Sequence, residues 1–210
     1  MLKAIIFDLD DTLTQTRQTQ YNTLKTTAKR FYNLEISDSD IDALYGTPYR
    51  EFMQLLFRQC DDLDNIIKNF HVIRENNPNG VYPGTVTSLK ILQKKYRLGL
   101  LSAAGKHLVY KDVTDCGIGI DTFCHIQTED DTTVHKPDPE VFQPTINYFA
   151  KFNIKPTQML YVGDTLNDFL ASSQAGLHFI GIPRLERERK KMQARELQMI
   201  DDIEQLTKLL

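Results

Sequence analysis

Ile5-Ile6-Phe7-Asp8-Leu9-Asp10-Asp11-Thr12-Leu13-Thr14 is the stretch from which the fold can be read. Residues 2–7 form a short β-prone run, apolar at nearly every position, that breaks off into three carboxylates and two hydroxyls. A run of this kind reads as a strand buried on both faces, as in a parallel sheet. In open α/β sheets the ligand crevice lies off the carboxyl ends of the strands, which is where Asp8 and Asp10 fall. Alternation along an extended chain puts both side chains on the same side, so the two carboxylates converge. Converging carboxylates repel unless positive charge lies between them, and hard divalent cations choose oxygen ligands. The stretch therefore reads as a magnesium site with a carboxylate to spare as nucleophile.

Downstream, the pattern is helical as far as Gly80. Tyr21, Leu24, Ala28 and Phe31 recur at helical spacing, and Ser37-Asp38-Ser39-Asp40 offers caps for a second helix ending at Gly46. Pro48 suits the first turn of a third helix carrying Phe52, Leu55 and Leu56; a fourth over residues 63–74 turns Ile66, Ile67, Phe70 and Ile73 inward. No strand pattern interrupts residues 15–80. From Pro83 onward, helices alternate with strands: a helix over 85–95, strands at 97–101, 124–127, 159–162 and 178–182, and helices between them. Pro139 opens a helix with Phe142, Ile146 and Phe149 inward. That alternation predicts an α/β fold, a Rossmann-like doubly wound parallel sheet core with an inserted all-α cap domain. The expected division is residues 1–14 and 81–210 as core and 15–80 as cap.

The chain has 210 residues, 41% hydrophobic and 25% charged, ordinary values for one large domain or a domain with an insert. A net charge of −3 and a pI near 6.0 leave no electrostatic footprint for nucleic acid. No segment approaches the ~20 apolar residues of a membrane span, and the first residues lack a signal-peptide pattern, so the expectation is a cytoplasmic protein without membrane partners. Cys60, Cys116 and Cys124 lack metal-type spacing and read as reduced, buried thiols.

Polar groups recur where strands end: Asp8 and Asp10, Ser102, and Asp164, with Lys136 on a loop. Acids, a hydroxyl and a lysine gathered on one sheet edge are what phosphoryl transfer through an enzyme carboxylate requires. Asp8-Leu9-Asp10-Asp11-Thr12-Leu13, Ser102 after an apolar strand, Lys136-Pro137, and Gly163-Asp164-Thr165-Leu166-Asn167-Asp168 resemble, in order, the four motifs of the haloacid dehalogenase-like hydrolase superfamily. The resemblance covers nearly the whole chain. The helical insert after the first strand is similar to the cap of the phosphoglycolate phosphatase and β-phosphoglucomutase branch.

The resemblance implies a Mg2+-dependent phosphatase acting on a small phosphorylated metabolite through an aspartyl-phosphate. It implies Asp8 as nucleophile and metal ligand, and Asp10 as general acid/base with its carbonyl on the metal. Thr12, Ser102, the Ala103 N–H and Lys136 would bind phosphate. Asp164 would be a direct metal ligand and Asp168 a further or water-bridged one. Arg50 is similar in placement to cap arginines that meet substrate. Ala103 stands where the family often has Asn; the backbone N–H still serves, while substrate contact or loop rigidity changes. Plainer readings accompany each residue: Ser102 as a turn serine, Asp168 as a first-turn acid, Arg50 as a solvated helix arginine. The run 184–195 reads as a solvated charged helix face, and Glu129-Asp130-Asp131 as a surface loop. Two other functions share the scaffold: a β-phosphoglucomutase-type phosphomutase, disfavoured because residues 15–20 hold no histidine, and a non-catalytic regulatory protein.

Overall fold

In the computed structural model, which describes residues 1–44, 47 and 49–210, the chain divides into two compact units. One comprises Met1–Gln15 and Gly80–Leu210, the other Thr16–Asn79. In the first unit, β1 (Ala4–Phe7), β2 (Arg97–Leu101), β3 (His125–Gln127), β4 (Met159–Gly163) and β5 (His178–Gly181) pair in parallel in the order β3-β2-β1-β4-β5. The α/β reading of the sequence is thus realised.

β1 lies at the centre and shows why its composition is so uniformly apolar. Alternation sends Ile5 and Phe7 to one face and Ala4 and Ile6 to the other. The first face packs on helices at Thr85–Leu92, Lys106–Asp115 and Ile203–Leu209 through Leu89, Val109, Val113 and Leu206. The second packs on Phe142, Phe149 and Ala171, from the segment Pro139–Phe142 and the helices Gln143–Ala150 and Leu166–Gln174. All four β1 side chains are fully buried, each large one contributing about 1.5–3 kcal/mol. Gly99 in β2 has a packing reason: a Cβ there would meet the Phe149 ring at 3.3 Å. Successive strands run outward from β1 to β3, then return on its other side at β4. The direction of winding therefore reverses between β1 and β4, and a crevice opens beyond their carboxyl ends.

The chain leaves and re-enters this unit through paired segments. Thr14 forms an antiparallel bridge with Val81, the Gln15 N–H donates to the Gly80 carbonyl at 2.8 Å, and the Tyr82 N–H donates to the Leu13 carbonyl at 3.1 Å.

Among the described residues, the second unit holds four helices: α1 (Thr16–Tyr32), α2 (Asp38–Ala43), α3 (Tyr49–Leu56) and α4 (Leu63–Glu75). They enclose Leu24, Ala28, Ile41, Met53, Phe57 and Ile66. Ser37 caps α2 through a reciprocal box with Asp40. The expected roles of Gly46 and Pro48 lie outside the described residues. Continuing the helices after the return to the first unit, α5 (Thr85–Leu92), α6 (Lys106–Asp115), α7 (Gln143–Ala150), α8 (Leu166–Gln174), α9 (Glu186–Gln193) and α10 (Ile203–Leu209) complete the fold.

Several expectations are corrected. Phe31 and Leu55, though at helical spacing with apolar neighbours, are 39% and 44% exposed, because helical periodicity fixes a face but not the width of the core it meets. α5 stops at Leu92 rather than Lys95: Lys94 and Lys95 donate to Ile91 and Leu92, tightening the end into a turn. Cys60 and Cys124 are exposed and Cys116 is half-buried, so these thiols are not core residues. The segment Glu129–Asp131 is at the surface, as expected, but forms a single 3-10 turn rather than an irregular loop; Asp131 and Thr128 cap it reciprocally. Among the described residues, no helix is long and apolar enough to cross a membrane.

Candidate active site

The ladder carries Asp8 one residue past β1, its N–H donating to the Val162 carbonyl of β4 at 2.9 Å. The chain then turns sharply. The amides of Thr12, Leu13 and Thr14 and the Thr14 hydroxyl all point at the Leu9 carbonyl, at 3.3, 2.9, 3.1 and 3.1 Å. Asp11 closes the turn with φ 58, a left-handed conformation that costs a non-glycine residue roughly 1–2 kcal/mol. Asp8, Asp11 and Thr12 are buried, whereas Asp10 is half-buried. The Thr12 hydroxyl makes no hydrogen bond within the described protein.

Lys136 reaches this turn from the loop after β3. Its ammonium donates to Asp8 Oδ1 at 2.8 Å, Asp168 Oδ1 at 2.6 Å and the Tyr161 hydroxyl at 3.1 Å. The three charged side chains are nearly closed to solvent: 13% exposed for Lys136, 7% for Asp8 and 1% for Asp168. Asp168 is held in turn by a capping box at the start of α8, its Oδ2 accepting from the Thr165 N–H at 2.9 Å and hydroxyl at 2.6 Å. Gly163 makes room for it, since a Cβ there would lie 2.6 Å from Asp168 Cγ. The same carboxylate is therefore both the first-turn acid of α8 and the partner that orients Lys136.

The third strand end supplies Ser102, 3% exposed. Its hydroxyl donates to Asp10 Oδ2 at 3.1 Å and accepts from the Ala104 N–H at 3.1 Å. Ser102, Ala103, Thr128 and Lys136 border one recess. The acidic turn orders its rim: Asp130 accepts from the Lys106 N–H at 2.8 Å, capping α6 where the serine loop ends.

Burial, together with the charges of Asp168 and Asp10, raises the Asp8 carboxyl to about 7, against the opposing pull of Lys136. Burial and the neighbouring Asp168, Asp8 and Asp11 raise Asp164 well above the ordinary carboxylate range. Burial alone would depress Lys136, but Asp168 and Asp8 win and hold it above its usual value, so it stays charged at neutral pH. Burial raises the Tyr161 phenol, which stays a neutral donor. The cluster thus carries more carboxylate charge than its lysine balances.

A magnesium ion fits that imbalance. Mg2+ takes one or two carboxylates and keeps several waters rather than occupying an all-protein cage. Among the described residues, no three His, Cys, Asp or Glu side chains enclose an ion by themselves. Asp8 and Asp164 are the buried, charge-stressed pair on facing strand ends. Asp168 has its oxygens engaged by Lys136 and Thr165, so its contact with an ion would run through water.

Asp8, Asp10, Thr12, Ser102, Ala103, Lys136, Asp164 and Asp168 all lie on the carboxyl-end edge of the sheet. Arg50 belongs to the helical unit, where it is exposed and paired with Asp64 at 2.8 Å. Two participants escape the sequence reading. Tyr161 looks like one more apolar strand residue. Arg184 opens the run read as a solvated face, yet is half-buried and donates to the Asp11 and Thr12 carbonyls. In the same run Glu188 is 7% exposed and accepts from the Leu166 N–H at the start of α8. The available signal was position: Pro183-Arg184 directly follows the last strand, on the edge that gathers the other groups.

Residues 5–182 match the family model described as haloacid dehalogenase-like hydrolase. The chain is 26% identical over 181 residues to the pyrophosphatase PpaX of Bacillus velezensis, covering 85% of this chain and 82% of that one. It is 25% identical over 238 aligned positions to the glyceraldehyde 3-phosphate phosphatase of Methanothermobacter thermautotrophicus, covering the whole of both. Its fold superposes on a HAD-superfamily hydrolase of subfamily IA from Geobacter sulfurreducens with a TM-score of 0.78 at 19% identity, covering 100% of this chain and 96% of that one.

Proposed function

The chain belongs to the haloacid dehalogenase-like hydrolases, and from that premise we propose that it is a Mg2+-dependent phosphatase of small phosphorylated metabolites, working through an aspartyl-phosphate on Asp8. The observation that carries this reading is the Lys136 ammonium held between Asp8 and Asp168 at the sheet edge, with Asp10 tied to Ser102 beside it.

In this reading Asp8 Oδ attacks phosphorus, forming the O–P bond while the bond to the leaving oxygen breaks. Asp10 gives that oxygen its proton, then takes one from the water that attacks the aspartyl-phosphate and releases inorganic phosphate. Tyr161 and Asp168 aim the Lys136 ammonium at the equatorial oxygens, where charge develops in the transition state. Ser102, the Ala103 N–H and the orphaned Thr12 hydroxyl offer donors for the remaining oxygens. Asp8, Asp164, the Asp10 carbonyl and, through water, Asp168 would hold Mg2+, which offsets phosphate charge and orients it for in-line attack. We assign choice of the leaving group to the helical unit, Thr16–Asn79. The relatives named pyrophosphatase and glyceraldehyde 3-phosphate phosphatase support compact phosphorylated substrates.

The test is phosphate release from a panel of phosphorylated metabolites, with magnesium and with chelator. Release from a few related compounds is expected, lost with chelator and lost in Asp8→Asn, whose circular dichroism stays that of the parent. Turnover retained by clean Asp8→Asn protein would sink the mechanism. Isomerisation of a sugar phosphate without phosphate release would turn the reading to a mutase.

A further inference from the structure

Arg184 lies beyond the last strand, outside every motif of the site, yet its guanidinium gives two of its donors to the turn after β1. Nε donates to the Asp11 carbonyl at 3.2 Å and Nη2 to the Thr12 carbonyl at 3.4 Å. Nη1 donates to the Asp201 carbonyl at 2.7 Å, and the guanidinium carbon stacks 3.7 Å from the centre of the Tyr82 ring. Tyr82 is itself pinned to the turn through its N–H on the Leu13 carbonyl. One cation therefore joins three remote segments: the turn after β1, the re-entry segment at Tyr82 and the tail before α10.

We propose that Arg184 is a positioning residue for the phosphoryl-transfer turn, its planar fork holding the carbonyl of left-handed Asp11 and that of Thr12 after it, and so fixing how the turn runs on from Asp10 and where Thr12 points. This rests on the phosphatase reading for its kinetic consequence, but not for its structural one. Three amides of the turn converge on the Leu9 carbonyl, while the carbonyls of buried Asp11 and Thr12 accept from the guanidinium. Buried carbonyls require donors, and a guanidinium supplies several in a rigid plane where an ammonium is a point charge. Stacking on Tyr82 sets that plane. The strained Asp11 conformation persists only while its surroundings over-determine it, and Arg184 holds its carbonyl and the one that follows.

The competing reading is that Arg184 merely staples the tail. Arg189 separates the two, because it binds the Pro183 carbonyl and the Asp201 carboxylate without touching the turn. The experiment compares Arg184→Lys, Arg184→Met, Tyr82→Leu and Arg189→Ala in the full chain. Two readouts are used: steady-state kinetics on the substrate found for the parent, and amide hydrogen exchange by NMR without substrate or metal. Loss of the fork is expected to lower kcat about 10- to 100-fold with KM within about threefold, the effect of a roughly 1 Å misplacement of reacting groups. Amides of Thr12, Leu13 and Thr14 should exchange at least tenfold faster in Arg184→Lys, while those of Leu160 and Val162 in β4 keep the parental rate. Tyr82→Leu should show a smaller loss of the same kind, and Arg189→Ala none. Parental kcat and parental exchange at Thr12–Thr14 in Arg184→Lys would overturn the proposal, as would an equal loss in Arg189→Ala. If Arg184→Met does not fold, Arg184→Lys still decides. If the parent releases phosphate from nothing, the phosphatase reading fails, while exchange at the turn still tests Arg184.

Discussion

Lys136→Met removes the one ammonium shared by two buried carboxylates, and its cost follows from the geometry. Asp8 and Asp168, 7% and 1% exposed, would lose contacts of 2.8 and 2.6 Å with nothing to replace them. Deleting one partner of a buried ion pair costs about 3–5 kcal/mol. For a chain of this size each kcal/mol moves Tm by about 2–4 °C, so a drop of about 6–20 °C is expected. The pH dependence has a definite sign. Asp8 titrates at about 7 with Lys136 lowering it; without the ammonium its folded value rises further. A carboxyl raised above its unfolded value lowers stability as pH climbs from the unfolded value to the folded one. In the Asp8 contribution both proteins share that slope up to about pH 7, but only in the variant does it go on lowering stability beyond it. Lys136 stays charged throughout this range and adds no slope of its own. The deficit should therefore be larger at pH 8.5 than at pH 6. Thermal and urea melts of both proteins in chelator would measure it. A deficit under about 1 kcal/mol, or one that shrinks as pH rises, would refute the account of Lys136 as the charge balance of the cluster.

Magnesium should raise Tm more at pH 8 than at pH 6, because Asp8 titrates near 7 and must give up its proton before it can serve as a ligand; melts with metal and with chelator at each pH check this. Tyr161→Phe removes one hydroxyl from the Lys136 ammonium and should lower kcat about 3- to 10-fold with an unchanged circular dichroism spectrum, as measured by phosphate release. Asp8→Asn, the control of the activity screen, should retain less than about a thousandth of parental turnover, the scale lost with a covalent nucleophile.

Much of the molecule is legible in the sequence, for identifiable reasons. β1 is readable because burial on both faces demands an apolar residue at every position, and the break into Asp8-Leu9-Asp10 marks where the sheet ends. Helix periodicity finds α1, α3 and α4, but it cannot say how wide the core beneath them is, so the exposure of Phe31 and Leu55 is not readable from their spacing. Asp168 is readable as a first-turn acid, while its second duty toward Lys136 depends on Gly163, whose missing Cβ is a fact of three dimensions. Tyr161 hides because a phenol in a strand is chemically ambiguous until its hydroxyl finds a partner. Arg184 and Glu188 hide because the charges around them are solvent-facing; only a sheet edge and a helix end distinguish these two from their neighbours.

The pairing of the two crossings has a consequence for how such an enzyme diversifies. Residues 13–15 and 80–82 lie side by side, so the chain departs from and returns to the sheet at one spot. Everything between is, in topological terms, an outgrowth on an already continuous fold. Lengthening, trimming or exchanging it alters no strand order, no register and none of the contacts of Lys136. With the choice of leaving group assigned to the helical unit, as proposed above, the chemistry and that choice become separately inheritable, one as a fixed chassis and the other as a graft.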